Sequence, residues 1–425
     1  MTTGLVPWGG GSFGLKDKGM LSVVGLWRWF RKHHGFKAQH SMKGPVIYVT
    51  KPMLPNFYKF IWQLRGIWSS KVLTNGGPIS KKLQYSLEQW LGVEDLTLVC
   101  NGTCALDVAL NAINLQNRSD VITTPFSFVA SSNAIIRKGL KPVFVDVDRD
   151  SYNISPTLVE KAITNETAAI LGVHVYGVPC KVQELEVIGK RYNIPVIYDG
   201  AHAFGVRLGE KTLLRFGDLS TCSFHATKVF NTGEGGCVIR NNDSFDDIQR
   251  GINFGFCSEN DISEFGINAK MSEFAAALGV VNLKTISATI QKRAMVYAWY
   301  DKYLNGQLIP DTIKHANDSQ DITWNYSYMP IRLCSQEGAS IRDRIYESLK
   351  QEQIYSRKYF YPLIPETTAY KANPSAWMQK GSLEHARQAT LQTLCLPIYP
   401  GLSERDVKRI ASIVNEQASF VGQYG

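Results

Sequence analysis

Long apolar runs and Cys-x-x-Cys pairs are missing from this chain of 425 residues. No uninterrupted apolar stretch approaches the roughly 18 residues that a membrane-spanning helix needs, so no membrane span is predicted. No Cys-x-x-Cys pair occurs among the eight cysteines, at positions 100, 104, 180, 222, 237, 257, 334 and 395. Buried free thiols in a reducing cytoplasm explain this pattern better than a zinc site or a disulfide framework. We therefore expect a cytoplasmic protein without a metal site.

Acidic residues are scarce at the start of the chain. The net charge is +9, but residues 1–43 hold seven Lys or Arg and one acid, so the remaining 382 residues carry only +3. A charged leader is not the basic face that nucleic-acid binding requires, and no nucleic-acid partner is expected. Residues 1–41 lack a clear signal-peptide cleavage site. We interpret them as a leader or an expression remnant without regular structure.

The order of apolar segments predicts the fold class. From about residue 82, strand-like apolar runs alternate with segments of helical periodicity. This alternation predicts an α/β fold, a mostly parallel sheet with helices on both faces, in which ligands bind at the carboxyl ends of strands. The pattern changes after Gly236, and residues 272–300 are predicted to form one long helix. We expect a large domain over residues 42–290 and a smaller C-terminal α+β domain over residues 291–425.

Two predicted strands are followed by candidate ligand-binding residues. Gly102 and Thr103 lie between a strand and a helix, where backbone N–H groups and the threonine hydroxyl suit a phosphate. An ordinary helix cap is the simpler alternative.

Phe126 and Phe128 follow the next strand. One of them would stack on a flat ring, unless both pack in the core.

Two further strands end in residues that suggest chemistry. Asp199 ends an apolar strand, with His202 three residues later; a buried carboxylate there requires a cationic partner, such as a pyridinium nitrogen, or serves as a loop cap. Ser223 and Lys228 lie in SFHATKVFNTGEGG, where Lys228 is either a surface lysine or a Schiff-base lysine with a deprotonated amine. A phosphate cradle, an aromatic ring, an aspartate and a lysine are what pyridoxal 5′-phosphate (PLP) requires.

The sequence resembles the DegT-type nucleotide-sugar aminotransferases, members of the aspartate aminotransferase superfamily with PLP fold type I. The similarity extends from about residue 46 to the end of the chain. It rests on TNGGP (74–78), NGTCAL (101–106), TTPFSFVASSNAI (123–135), PVFVDVD (142–148), HVYGVPC (174–180), YDGAHAFG (198–205), SFHATKVFNTGEGG (223–236), GINAKMSEFAAALG (266–279) and LPIYPGLSERDV (396–407).

The resemblance implies a catalytic pair and two residues at the cofactor ring. Lys228 would form the Schiff base with PLP, and Asp199 would hold the pyridinium nitrogen. His202 would lie near the ring hydroxyl, and Phe128 would stack on the ring.

The resemblance also implies how the cofactor phosphate is held. Gly102, Thr103 and Ser223 would bind it within one subunit, and Asn268 would reach it from the neighbouring subunit of a homodimer with shared active sites. Three positions depart from the family pattern. Cys104 stands where Ser or Ala is usual, and Ala269 and Lys270 replace a common aromatic residue and an arginine. These departures concern the detail of the contact between subunits rather than the cofactor.

The implied reaction is transfer of an amino group from L-glutamate to a nucleotide-linked ketosugar. TNGGP and HVYGVPC favour the branch that acts on dTDP-4-keto-6-deoxyglucose and gives a 4-amino-4,6-dideoxysugar. The alternatives are a 3-keto sugar aminotransferase, a PLP-dependent sugar dehydrase, which has a histidine in place of Lys228, and a sulfur-amino-acid lyase. A non-catalytic PLP-fold binding or regulatory protein is the alternative from another class, and the presence of Lys228 and Asp199 argues against it.

Overall fold

Fifteen β-strands occur in the described part of the chain, which comprises residues 45–113, 115, 117–245, 248–334 and 337–419 of a computed structural model. The predicted leader at residues 1–41 lies outside the described residues. The strands are β1 (Leu96–Val99), β2 (Asp120–Thr123), β3 (Lys141–Phe144), β4 (Thr167–Val173), β5 (Val196–Asp199), β6 (Arg207–Leu208), β7 (Lys211–Thr212), β8 (Leu219–Ser223), β9 (Gly236–Arg240), β10 (Phe256–Ser258), β11 (Asp261–Ile262), β12 (Ile322–Thr323), β13 (Met329–Arg332), β14 (Met378–Gln379) and β15 (Thr393–Leu396).

Fourteen α-helices lie in the same described residues. They are α1 (Phe57–Ser70), α2 (Pro78–Leu91), α3 (Gly102–Ala112), α4 (Val129–Arg137), α5 (Pro156–Ala162), α6 (Val182–Tyr192), α7 (Ile248–Gly251), α8 (Glu273–Leu283), α9 (Ile286–Tyr303), α10 (Asp311–Asp318), α11 (Gly338–Gln351), α12 (Thr368–Ala372), α13 (Glu384–Gln392) and α14 (Glu404–Ser419). In this described part, no helix is both long enough and apolar enough to cross a membrane.

The central sheet has eight strands in the order β1-β9-β8-β5-β4-β2-β3-β14. All neighbours from β8 to β14 are parallel, and only β9 runs antiparallel to its neighbours β1 and β8. Successive residues of a strand point to opposite faces, so Val196 and Tyr198 of β5 join one apolar cluster and Ile197 joins the other. Helices α2, α6 and α8 cover the first face, and α3 and α4 cover the second. The predicted fold class is therefore confirmed.

The C-terminal part of the chain adds to this sheet and builds a second one. Strand β14 pairs with β3 at the edge of the central sheet, whereas β13 and β15 pair antiparallel in a separate sheet. Helix α9 runs through residue 290, where the sequence predicted a domain boundary. The division into residues 42–290 and 291–425 stays a prediction.

The predicted single helix over residues 272–300 is wrong, because the chain breaks it into α8 and α9. The backbone N–H of Thr285 donates to the Asn282 carbonyl at 3.0 Å, and the Thr285 hydroxyl donates to the same oxygen at 3.1 Å. A threonine that occupies a carbonyl three residues earlier competes with the regular helical hydrogen bond. The helical periodicity of the apolar residues continues on both sides, so the break leaves no signal in that pattern.

Candidate active site

A cavity of about 320 Å3 lies at the carboxyl ends of the parallel strands. Its volume falls within the range of about 300–1,000 Å3 that is typical of small-molecule sites. Residues at or just beyond the ends of β1, β4, β5 and β8 form its floor. Seven of the eight predicted site residues line it, namely Gly102, Thr103, Phe128, Asp199, His202, Ser223 and Lys228. The structure thus brings the seven together, and their individual roles remain predictions.

The first turn of α3 closely approaches the end of β8. A Cβ at Gly102 would lie 2.7 Å from the Ser223 Cβ, so only glycine permits this approach. The Asn101 side chain caps the helix by accepting from the Cys104 N–H at 2.8 Å. The first N–H groups of a helix have no partner within the helix, and here they stand beside the hydroxyls of Thr103 and Ser223. This arrangement suits a phosphate group.

Asp199 places a carboxylate in the cavity wall. Its side chain is 7% exposed and accepts from the Ser131 hydroxyl at 2.7 Å and from the Ala201 N–H at 3.0 Å. These two hydrogen bonds orient the carboxylate. Ser131 lies in α4 within the TTPFSFVASS segment, and no other feature of the sequence marks it as a site residue. An oriented carboxylate at a buried strand end is suited to a cationic ring nitrogen.

Lys228 lies in the loop between β8 and β9, which backbone hydrogen bonds hold at both ends. The Phe224 N–H donates to the Gly235 carbonyl at 2.8 Å, and the Ala226 N–H donates to the Gly233 carbonyl at 2.7 Å. Burial lowers the pKa of the Lys228 amine, and the nearby Asp199 carboxylate opposes that shift. The amine is therefore easier to deprotonate than that of a lysine in water.

The hydroxyl of Tyr328 is the nearest side-chain partner of that amine. The Lys228 Nζ lies 3.5 Å from the Tyr328 Oη and 5.9 Å from the centre of the same ring. Burial raises the pKa of Tyr328 above its ordinary value, so the phenol remains neutral. The amine therefore has a neutral hydrogen-bond partner, with Asp199 as the opposite charge that favours its protonated form.

His202 is neutral in this environment. Burial lowers its pKa well below the ordinary value, and the positive charge of Lys228 lowers it further. The His202 Nδ1 accepts from the Tyr176 N–H at 3.2 Å, which assigns the imidazole hydrogen to Nε2. The ring lies parallel to that of Phe360, with centroids 6.1 Å apart. His202 can therefore donate one hydrogen bond from Nε2 while its ring stays fixed.

The two phenylalanines after β2 have different surroundings. Phe126 is fully buried and packs against the rings of Tyr152, Tyr176 and Phe360. Phe128 is 60% exposed and lines the cavity. Core packing thus accounts for Phe126, and Phe128 remains available to stack on a bound ring.

Asn268 lies outside the cavity of its own chain. It is exposed on the segment before α8 and forms an isolated bridge with Asn253. This position is compatible with the predicted reach into a neighbouring subunit, which remains a prediction.

Three aromatic residues of the cavity were missed from the sequence. Tyr328, Tyr359 and Phe360 line it, although they lie at least 100 residues beyond Lys228 in the chain. The aromatic clusters YSYM and YFYP were visible, but no spacing rule connects them to a strand end so far away. All three lie in the C-terminal part of the chain, outside the strands of the central sheet.

The residues present fit PLP. The glycine-permitted approach of α3 to Ser223 offers a phosphate cradle, Asp199 offers an anion for the ring nitrogen, and Lys228 offers an amine of lowered pKa. Phe128 is exposed to the same cavity. Each chemical group of the cofactor therefore has a complementary group in the wall.

Comparisons with known proteins agree with this geometry. The sequence profile of the DegT/DnrJ/EryC1/StrS aminotransferase family matches residues 58–415. A dTDP-4-amino-4,6-dideoxy-D-glucose transaminase from Shigella dysenteriae is 41% identical over 374 residues, covering 87% of this chain and 98% of that protein. A transaminase of the same name from Escherichia coli is 41% identical over 379 residues, covering 88% and 99%. The crystal structure of DesI in the presence of its TDP-sugar product superposes with a TM-score of 0.80 at 30% identity, covering 88% of this chain and 95% of that one.

Proposed function

Because the chain belongs to the DegT/DnrJ/EryC1/StrS aminotransferase family, we propose that it transfers an amino group from L-glutamate to a dTDP-linked 4-keto-6-deoxyhexose. The product is a 4-amino-4,6-dideoxysugar. The observation that carries this proposal is the 41% identity to two dTDP-4-amino-4,6-dideoxy-D-glucose transaminases over nearly their whole length. The cavity supports it, since it holds a lysine of lowered pKa opposite an oriented carboxylate.

The cofactor is PLP, which when bound supplies an electron sink for negative charge at the substrate carbon next to the nitrogen. Gly102, Thr103 and Ser223 would hold its phosphate at the first turn of α3. Asp199 would keep a proton on the ring nitrogen, and the Nε2–H of His202 would donate to the ring oxygen. These five residues and Phe128 would together orient the ring within the cavity.

Lys228 carries the proton transfer. When PLP is bound, the Lys228 Nζ would hold it covalently, and the same amine would serve as the acid–base group at the substrate carbon. The lowered pKa lets that amine take a proton from the substrate carbon as a base and return one as an acid. The Tyr328 hydroxyl, 3.5 Å away, restrains the amine while it is free.

Two alternative functions are disfavoured by specific residues. A sugar dehydrase of this family carries a histidine where this chain has Lys228, and a non-catalytic relative has no need of the Asp199 hydrogen bonds described above. A 3-keto sugar as acceptor remains the alternative within the same class.

We also propose a cytoplasmic enzyme, because all eight cysteines are free thiols, which suits a reducing compartment.

We propose a homodimer in which each subunit supplies Asn268 to the other subunit's cofactor phosphate. Large apolar side chains are exposed on α1 and close to Asn268 in the chain: Trp62 and Trp68 of α1 are 66% and 69% exposed, and Phe265 is 96% exposed. The ring centroids of Trp68 and Phe274 lie 6.1 Å apart, so α1 and the start of α8, which follows Asn268 in the chain, share an exposed apolar face. A face of this kind marks an interaction surface, and a second copy would cover it.

The test is amination of a panel of nucleotide sugars by the PLP-loaded enzyme with L-glutamate. The panel comprises 4-keto and 3-keto 6-deoxyhexoses on dTDP, UDP and GDP, with products identified by mass and NMR. We expect the dTDP-linked 4-keto sugar to be the best acceptor. Preferential amination of a 3-keto sugar, or of a UDP or GDP sugar, would contradict the proposal.

A further inference from the structure

We propose that Cys100 and Cys104 form a modification site, at which a small disulfide oxidises the pair to an intrachain disulfide that distorts the phosphate cradle. Cys100 follows β1, and Cys104 lies in the first turn of α3. Only Asn101, Gly102 and Thr103 stand between them, so a bond between the two sulfurs would close a ring through the residues proposed to hold the PLP phosphate. This inference goes beyond the proposed function, because it does not depend on which sugar is aminated.

The two thiols are already in contact. The Cys104 thiol donates a hydrogen bond to the Cys100 sulfur. The Asn101 side chain connects the same two residues, because its Nδ2 donates to the Cys100 Sγ at 3.6 Å and its Oδ1 accepts from the Cys104 N–H at 2.8 Å. Both cysteines are half-buried and pack against the same apolar cluster as α3. A pair held in this way needs only a short approach to form a bond.

The same hydrogen bond makes Cys100 the nucleophile of the pair. It lowers the pKa of the Cys100 thiol to about 7, with burial opposing the shift, and it raises the pKa of Cys104. Burial raises the pKa of the thiols of Cys180, Cys222 and Cys395, which are shielded from solvent. Near neutral pH a large share of Cys100 is therefore thiolate, which is the form that attacks disulfides.

The modification takes two exchange steps. The Cys100 thiolate attacks one sulfur of a small disulfide such as oxidised glutathione, forms a mixed disulfide and releases one glutathione thiolate. The Cys104 thiol then loses its proton and attacks the Cys100 sulfur, which releases the second glutathione thiolate. The protein thus gives up two electrons and its two thiol protons, and the small disulfide takes them up as two thiols.

Formation of the bond would move the phosphate cradle. A disulfide bond is about 2.05 Å long, shorter than the contact of two separate thiols, so Cys104 and the first turn of α3 must move toward Cys100. The cradle leaves little room for this movement, since a Cβ at Gly102 would lie 2.7 Å from the Ser223 Cβ. The Cys100 N–H is itself held by the Ala269 carbonyl at 2.7 Å. The N–H groups of the helix turn would therefore lose their alignment with a bound phosphate.

The experiment incubates the PLP-loaded enzyme in a buffer of reduced and oxidised glutathione and compares each sample with its own reduced form. Peptide mapping by mass spectrometry should find a Cys100–Cys104 disulfide in the wild type. Dialysis against graded PLP concentrations should show an apparent Kd for PLP raised about tenfold or more, which is the effect of losing one hydrogen bond to a charged group. Dithiothreitol and fresh PLP should restore the original Kd.

Two variants separate the bond from other effects of oxidation. Cys104→Ala cannot close the bond and should retain its PLP, because reduced glutathione in the buffer reverses the mixed disulfide on Cys100. It should also shift the alkylation of Cys100 to a pH above about 7, since the hydrogen bond that lowers the pKa is lost. The matched control is Cys257→Ala, which removes an exposed cysteine of β10 that does not line the cavity and should leave the wild-type response unchanged.

Three outcomes would overturn the inference. One is the absence of a Cys100–Cys104 disulfide from the oxidised wild type, and another is a disulfide that leaves the Kd for PLP unchanged. The third is a loss of PLP from Cys104→Ala equal to that of the wild type, since no bond between the pair could then be the cause. Failure of the proposed function is separately visible, as a reduced enzyme that retains PLP but does not aminate the dTDP-linked 4-keto sugar.

Discussion

At the scale of single residues, the hydrogen bonds of Asp199 decide what the cavity can do. A carboxylate that accepts from the Ser131 hydroxyl and the Ala201 N–H is fixed in direction. It also lies near enough to Lys228 to oppose the fall in that amine's pKa. One anion thus acts on two proposed partners, the ring nitrogen of PLP and the lysine amine.

Asp199→Asn should lower kcat much more than it weakens cofactor binding or lowers the melting temperature. The phosphate cradle at Gly102, Thr103 and Ser223 remains, but the charge that stabilises the transition state is lost. A preorganised charge of this kind is worth a few kcal/mol, so we expect kcat to fall about a hundredfold or more. The measurements are kcat, cofactor content and melting temperature of the loaded variant. A near-normal kcat with a lowered melting temperature would make Asp199 a loop cap.

At the scale of secondary-structure elements, one buried carboxylate joins two helices. Glu273 begins α8 and is fully buried; it accepts from the N–H groups of Ile79 and Ser80 at 2.8 and 2.7 Å and from the Ser80 hydroxyl at 2.5 Å. It therefore satisfies the first turn of α2 and offsets the positive end of that helix. Gly77 leaves room for it, because a Cβ there would lie 2.6 Å from the Glu273 carboxyl carbon.

Glu273→Ala should destabilise the protein by several kcal/mol, because three buried donors lose their acceptor at about 1–3 kcal/mol each. Ser272→Ala is the matched control, since the neighbouring Ser272 caps α8 from an exposed position by accepting from the Ala275 N–H at 3.2 Å. Loss of that exposed cap should cost about 1 kcal/mol. Denaturant unfolding of both variants gives the comparison. Equal losses would show that the buried carboxylate contributes no more than an ordinary cap.

The segment after β4 should make stability depend on pH through His174. This histidine is fully buried, its Nδ1 accepts from the Cys180 N–H at 3.1 Å, and burial lowers its pKa to about 3. Between pH 6.5 and 3 the unfolded chain binds a proton that the folded chain does not, so stability is full above pH 6.5 and falls as the pH is lowered. The slope approaches about 1.4 kcal/mol per pH unit for one such group.

Urea unfolding of the cofactor-free protein at pH 7.5 and pH 5 tests this expectation. His174→Asn keeps an acceptor for the Cys180 N–H and should lose less stability on acidification than the wild type does. His202 has a lowered pKa as well, so part of the pH dependence should persist. His315→Gln, at an exposed position, should behave as the wild type. An unchanged pH dependence in His174→Asn would remove the buried imidazole from the explanation.

At the scale of the whole molecule, local patterns proved predictable and distant contacts did not. The strand ends that carry Asp199 and Ser223 follow from the alternation of apolar runs, and the carboxyl ends of parallel strands necessarily meet at one edge. Tyr328 and Phe360 reach the same cavity through packing of the C-terminal part, and no short-range spacing encodes that contact. The break between α8 and α9 was missed for a related reason, since one threonine hydroxyl, not a change in periodicity, produces it.

The proposed homodimer rests on the exposed apolar face that α1 and the start of α8 share. That face includes Trp68 and Phe274, and Asn268 itself lies outside the cavity of its own chain. In a symmetric dimer, each cavity would contain Lys228 from one subunit and Asn268 from the other. A defect in Lys228 of one subunit and a defect in Asn268 of the other would then fall in the same site of a mixed dimer and leave the second site intact.

Mixing two inactive variants should therefore restore activity. We expect Lys228→Ala to abolish turnover and Asn268→Asp to weaken cofactor binding strongly, because a carboxylate would face the phosphate. When the two are unfolded and refolded together in equal amounts, half of the dimers are mixed, and each has one site with both defects and one with neither. Activity should thus return to about a quarter of the wild-type value, as expected for two-fold symmetric sites. Each variant refolded alone serves as the control, and sedimentation establishes that dimers formed. If the mixture forms dimers but stays inactive, each cavity draws Lys228 and Asn268 from the same chain, or Asn268 has no part in the site.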